Sequence, residues 1–176
     1  MMDELIDMVD KDDKVIGVVW KSRAHGNPNI IHREIAIVVF NDNKEVLLQQ
    51  RSLNKVNDPG VWKLTAAGHV GAGEDPKTAA EREIFEELGL KVDPVYFGKV
   101  FRKHAGKYEV PESRFFWIYY ALIKGNPKLD LDESEVLDAE WVRIDLLEDF
   151  AKTHNYNPES LSHQIIMKVA NKMKLI

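Results

Sequence analysis

Apolar residues along this chain fall into short runs of strand length, with helical spacing confined to a few segments. Leu5, Ile6, Met8 and Val9 precede the turn Asp10-Lys11-Asp12-Asp13, and residues 15–20 are rich in β-formers, which predicts a hairpin over 5–20. A polar loop follows from Ser22 to Asn29, with Gly26, Asn27 and Pro28 as turn formers. The unbroken apolar run 35–40, the turn Asn41-Asp42-Asn43 and then Val46-Leu47-Leu48 predict a second hairpin, its first strand buried on both faces. Beyond a loop around Asp58-Pro59-Gly60 and a short strand near 61–64, a glycine-rich loop leads into a helix over 76–88. Strands are expected at 95–102, 115–123 and 139–144, and a helix at 145–152. Leu161, Ile165, Val169 and Met173 repeat every four residues and predict a closing helix over about 161–173. Strands mixed with a few helices, without strict βαβ alternation, predict an α+β fold with a mixed sheet covered by helices, all in one domain spanning residues 1–176.

Composition narrows the function classes. With 44% hydrophobic and 30% charged residues the chain has the profile of a soluble globular domain, and no apolar run reaches the ~20 residues of a membrane span. The start, Met1-Met2-Asp3-Glu4-Leu5-Ile6-Asp7, lacks the basic and apolar regions of a signal peptide. Cysteine is absent, which removes disulfides and thiol nucleophiles and fits a reducing, cytoplasmic setting. The formal net charge of -5 gives no support for a nucleic-acid polymer as partner.

Much of the acidity lies in one stretch, 68–90, GHVGAGEDPKTAAEREIFEELGL. Its local physics is that of a well-bounded helix. Asp75 can cap it, Pro76 fits the first helical position, Gly89 can end it, and Ala80, Ile84 and Leu88 mark the buried side. Glu83, Glu86 and Glu87 stand at i, i+3 and i+4, within an arc of ~100° on the helix. Arg82, four residues before Glu86, offsets one charge and leaves two or more acids to repel each other. A divalent cation resolves that repulsion, and all-oxygen ligands select a hard ion, Mg²⁺ or Mn²⁺. An isolated pair of helix glutamates is more often a solvated face. In this chain the surroundings reverse that, because Gly68, Glu74, Arg82, Glu83, Ile84, Glu86, Glu87, Gly89 and Leu90 fill every fixed position of the pattern G-x5-E-x7-R-E-U-x-E-E-x-G-U, with U a bulky aliphatic residue. A chance match in a chain this long is on the order of one in ten million from average residue frequencies.

This stretch resembles the Nudix box, the signature of the Nudix hydrolases. The resemblance implies an α/β/α sandwich with the box as loop, helix and loop. It implies Mg²⁺ (or Mn²⁺) held by Glu83, Glu86, Glu87 and the Gly68 carbonyl, with Arg82 orienting a glutamate and Glu74 holding the loop–helix turn. Its implied reaction is attack of water on a small-molecule diphosphate, the general base being Glu86, Glu87 or the loop residue Glu135, whose alternative is a plain surface carboxylate. Arg51 and Arg114 are candidates for binding substrate phosphate or for structural ion pairs. Trp62 and Trp117 read as core residues, while Phe101 and Tyr108 are candidate stacking surfaces for a base. The resemblance also allows a homodimer.

A closer resemblance runs along nearly the whole chain. His32-Arg33-Glu34, Leu48-Gln49-Gln50-Arg51, Pro59-Gly60-Val61-Trp62, Ala66-Ala67-Gly68-His69 and Asn157-Pro158-Glu159-Ser160-Leu161 are similar to the isopentenyl-diphosphate-isomerase-like branch of Nudix. In the true isomerase three histidines and two glutamates hold a metal, and a cysteine and a glutamate move protons. His25, His32 and His69 match the three histidines and Glu112 the first glutamate. The cysteine position is Ala67 and the second glutamate position is Arg114, neither of which can act as acid or base. The expectation is therefore isomerase ancestry with hydrolase chemistry, and histidines that are satisfied by hydrogen bonds in place of a metal. A nucleotide sensor on the same scaffold usually loses box carboxylates, and this chain retains them all.

Overall fold

The computed structural model describes residues 3–104 and 111–176, so Tyr108 lies outside the described residues. In chain order the elements are β1 Leu5–Val9, β2 Val15–Trp20, α1 Lys21–Ala24, β3 Ile31–Asn41, β4 Glu45–Arg51, β5 Trp62–Lys63 and β6 Ala66–His69. They continue with α2 Pro76–Leu88, β7 Val95–His104, β8 Glu112–Ile123, β9 Val136–Arg143, a 3-10 turn Ile144–Leu146, α3 Leu147–Thr153 and α4 Leu161–Lys172. The α+β fold with a mixed sheet is as expected, and the strands form one sheet.

The central strand is β3. It runs parallel to β8 along its whole length, from Ile31 opposite Ser113 to Asn41 opposite Ile123, and antiparallel to β6 over Glu34–Ile37. Its even and odd side chains point to opposite faces, as a strand requires. Ala36, Val38 and Phe40 pack with Leu147 and Phe150 of α3 and with Ile165, Ile166 and Val169 of α4. Ile35, Ile37 and Val39 pack with Ala79, Ala80, Ile84 and Leu88 of α2. Burial on both faces explains why the run 35–40 is continuously apolar, and it produces the α/β/α layering. Trp62 joins the α3–α4 core, edge-on to Phe150 at 5.2 Å between ring centroids.

Three expectations need correction. The predicted second hairpin pairs only at its turn, Phe40 with Val46, because β4 then leaves β3 to pair with β9 and β5. The gap is spanned by the buried Thr65 hydroxyl, which accepts from Val39 N at 2.9 Å and donates to Leu47 O at 2.6 Å. Residues 66–69 form a strand in place of the expected glycine-rich loop, since the long open edge of β3 supplies backbone partners that outweigh the poor strand preference of alanine and glycine. β8 starts at Glu112, three residues before the apolar run, which places Glu112 and Arg114 on a sheet strand. A one-turn helix, α1, also sits inside the polar loop.

The helix α2 ends where its sequence says. Asp75 accepts hydrogen bonds from Lys77 N at 2.9 Å and Thr78 N at 3.3 Å, and Gly89 takes φ +67°. A Cβ at Gly89 would lie 2.7 Å from Asp130 Cβ, so this stop has room for glycine alone. Among the described residues no helix is long and apolar enough to cross a membrane.

Replacing Thr65 by valine keeps the shape and removes both bridges. The expected cost is about 1–3 kcal/mol, because Val39 N–H is left buried without an acceptor; urea unfolding of Thr65→Val against the unaltered chain measures it.

Candidate active site

The box residues assemble where β6 meets α2. Gly68 faces α2, and a Cβ on it would lie 2.0 Å from Glu83 Cδ. Glycine is required there so that the Glu83 carboxylate can rest against the strand. Arg82 organises the rest. Its Nε and Nη2 donate to the two Glu74 oxygens, each at 2.9 Å, its Nη2 also reaches His69 O at 3.1 Å, and its Nη1 donates to Glu83 at 2.8 Å and Glu86 at 3.2 Å. Glu74 in turn accepts Gly71 N at 2.8 Å, closing the loop onto the helix. This set of acceptors holds the Arg82 guanidinium far above its usual range, chiefly through the Glu74 hydrogen bond.

The three helix acids differ in environment. Glu86 is exposed. Glu83 is largely covered, and burial raises its proton affinity against the pull of Arg82. Glu87 is 5% exposed and takes a hydrogen bond from Gln49 Nε2 at 2.8 Å. Burial, then the neighbouring Glu83 charge, raises the Glu87 carboxyl well above the usual range. Glu135 stands close enough to Glu87 to raise it further, and Arg51 close enough to oppose that. Glu135 pairs with Lys55, and its carbonyl accepts Ser52 N at 2.9 Å. Arg51 Nε donates to Asn57 O at 2.8 Å and so ties down the loop 52–60. The two glutamates that burial drives toward protonation, next to oxygen-only donors, fit a hard divalent cation. Oxygens of Glu83, Glu86 and Glu87 do not lie within 4.8 Å of one another as a trio; Glu83 and Glu86 share Arg82 Nη1, while Glu87 is held by Gln49.

A second group of ionisable side chains lies beside the first. His25 Nε2 is 3.1 Å from His69 Nε2, which is 3.2 Å from Glu34 Oε1. Arg114 pairs with Glu34 through Nη1 and with Glu112 through Nη2, the latter at 2.8 Å. His32, fully buried, approaches Ile30 O through Nδ1 at 3.5 Å, and its Nε2 has no hydrogen-bond partner. Burial works against ionisation of Glu34, but His69 and the Arg114 guanidinium outweigh it and hold its carboxyl at about 2. Burial drives His69 down to about 3 in spite of Glu34. His69 is therefore neutral near pH 7, which leaves Arg114 as the full charge facing Glu34.

The structure thus brings Gly68, Arg82, Glu83, Glu86 and Glu87 together, with Arg51 and Glu135 at the end nearest Glu87. Arg114 stands apart among the histidines, paired with carboxylates. Phe101 is exposed on β7 and packs on Phe115 at 5.0 Å. Three participants are not singled out by the sequence. Gln49 and Glu34 carry a signal, as polar residues beside strongly apolar strand segments; Lys55 sits in a loop and carries none.

The NUDIX domain family profile matches residues 30–164. The isopentenyl-diphosphate Delta-isomerase of Serratia proteamaculans is 32% identical over 148 residues, covering 84% of this chain and 81% of its own. A protein of Pseudomonas aeruginosa described as an uncharacterized Nudix hydrolase is 32% identical over 159 residues, covering 90% and 89%. A crystal structure from Deinococcus radiodurans superposes with a TM-score of 0.69 at 19% identity, covering 93% of this chain and 98% of that one, which shows a shared fold.

Two measurements check these electrostatics. Glu87→Gln removes a charge that burial opposes, so the metal-free variant is expected to melt at a higher temperature than the unaltered chain and to lose most of the Mg²⁺-induced rise in Tm; a lower Tm without metal contradicts the assignment. For His69 and Glu34 the folded values, about 3 and about 2, lie below the ordinary 6.5 and 4.5. The unfolded chain therefore binds more protons in that interval, and these two groups make the folded state progressively less stable as pH falls from 6.5 toward 2. Denaturant unfolding at pH 7 and pH 4 should show a smaller difference for His69→Asn than for the unaltered chain.

Proposed function

The chain belongs to the NUDIX domain family, and from that footing we propose that it is a Mg²⁺-dependent hydrolase that cuts a diphosphate linkage in a small-molecule, nucleoside-diphosphate-type substrate. The observation that carries the proposal is the group formed by Gly68, Arg82, Glu83, Glu86 and Glu87, in which burial disfavours the ionised forms of Glu83 and Glu87 and Arg82 pairs with Glu83 but not with Glu87. Glu83, Glu86, Glu87 and the Gly68 carbonyl are the proposed ligands. When bound, Mg²⁺ neutralises diphosphate oxygens and makes water more acidic.

The chain's own residues do the remaining work. Glu74 fixes Arg82 through both its oxygens, and Arg82 sets the orientation of Glu83 and Glu86. Gln49 holds Glu87 in place. Water attacks one phosphorus, the bridging P–O bond breaks, and the other phosphate group departs with those electrons. The attacking water gives its proton to a carboxylate, and Glu87 suits that role because its surroundings raise its affinity for a proton. Glu86 and Glu135 are the other proposed bases. Arg51, beside Glu87, supplies positive charge at the end of the site where phosphate would lie. A cytoplasmic site of action accords with the absence of cysteine.

The isomerase-named relative favours a second reading, allylic isomerisation of a prenyl diphosphate. Against it, Ala67 offers no proton and Arg114 is locked to Glu34 and Glu112. A hydrolysis screen over nucleoside di- and triphosphates, dinucleotides, nucleotide sugars and prenyl diphosphates separates the two. The expected result is Mg²⁺-dependent release of phosphate or nucleotide, lowered on the order of 100-fold or more in Glu86→Gln or Glu87→Gln. Full activity in both variants overturns the roles of these two glutamates, and deuterium exchange at the allylic carbon of a prenyl diphosphate without hydrolysis overturns the reaction.

A further inference from the structure

The isomerase-like pattern implies a metal among three histidines and two glutamates, and the residues present in this chain do not fit it. Among the described residues only His32, Glu34 and His69 bring three donor atoms within 4.8 Å of one another; His25 and Glu112, which the pattern needs, fall outside that group. Two of the three donors are already engaged. Glu34 Oε1 takes the Arg114 hydrogen bond, and His69 Nε2 faces His25 Nε2 at 3.1 Å. Glu112 has been drawn to Arg114 as well, at 2.8 Å, which leaves its Oε1 without a hydrogen bond.

Charge makes the same point. Replacing a glutamate by arginine at position 114 adds two positive units, the charge of one divalent ion. Glu34 supplies a carboxylate beside it, on the strand that runs parallel to β8 with His32 opposite Arg114. We infer that Arg114 stands in for the metal: its guanidinium is a covalently attached cation that holds Glu34, Glu112 and the histidines together and keeps divalent ions out of the cluster. An ion among these donors would have to take Glu34 from Arg114 and then sit beside its positive charge, with imidazoles as its other ligands. The cluster is then a fixed structural wall. It seats His69, whose carbonyl supports Arg82, and it leaves the box helix as the one cation-binding group of the pair.

The test reads metal uptake and is independent of any catalysed reaction. Tag-free protein in excess Mg²⁺ is titrated with Co²⁺, whose visible absorption is weak with six oxygen ligands and severalfold stronger in a four-coordinate site with imidazoles. The unaltered chain is expected to show no strong band. Arg114→Glu, and Arg114→Gln in case crowded carboxylates prevent folding of the first, are expected to develop it at one ion per chain. Adding His69→Asn should abolish it. Circular dichroism and a cooperative melt establish that each variant is folded. A strong, saturable band in the unaltered chain overturns the inference. So does its absence from folded Arg114→Gln, since something other than Arg114 would then exclude the ion.

Discussion

The site depends on one guanidinium. Arg82 touches the loop, the strand and the helix at once: Glu74 on one side, the His69 carbonyl behind, Glu83 and Glu86 in front. Without it three carboxylates on adjacent turns would have no local cation, and the loop 71–74 would lose its link to α2. The cost of collecting acids is thus met in part by an arginine with a rigid fork of donors, for which a lysine could not substitute. The match is incomplete, since Arg82 does not reach Glu87. That carboxyl is left to Gln49, a neutral donor, with the charge of Arg51 acting on it in addition.

The neighbouring cluster shows the other solution to the same electrostatic problem. Glu34 and Glu112 are also buried acids, but Arg114 reaches both, and the carboxyl of Glu34 is held low where that of Glu87 is pushed high. Two groups of acids lie beside β6, one with a buried carboxyl that no guanidinium reaches and one in which a single guanidinium reaches both carboxyls. The rings of His25, His32 and His69 gather beside this second group, with centroids 5.0 to 6.3 Å apart.

How much of this was legible in the sequence follows from the range of the forces involved. The box helix could be read to the residue, because its cap, its proline, its apolar repeat and its terminal glycine each act on positions no more than four residues away. The continuous run 35–40 announced a strand buried on both faces. Strand β6 was not legible, because alanine and glycine have no preference for it and their partners lie some thirty residues earlier in the chain, on β3.

By itself, then, the sequence determined the fold class, the family and the order of acids along α2, since these rest on local periodicity and on a motif confined to 68–90. Only the tertiary structure decided the partners. It placed Gln49 rather than a cation on Glu87, Lys55 on Glu135, Asn57 on Arg51, and two carboxylates on Arg114. Apart from Glu112 and Arg114, which are two residues apart on β8, those pairings join groups from different strands and loops. Whether a charge is balanced or left open depends on distances of a few ångströms across the sheet, which no spacing along the chain records.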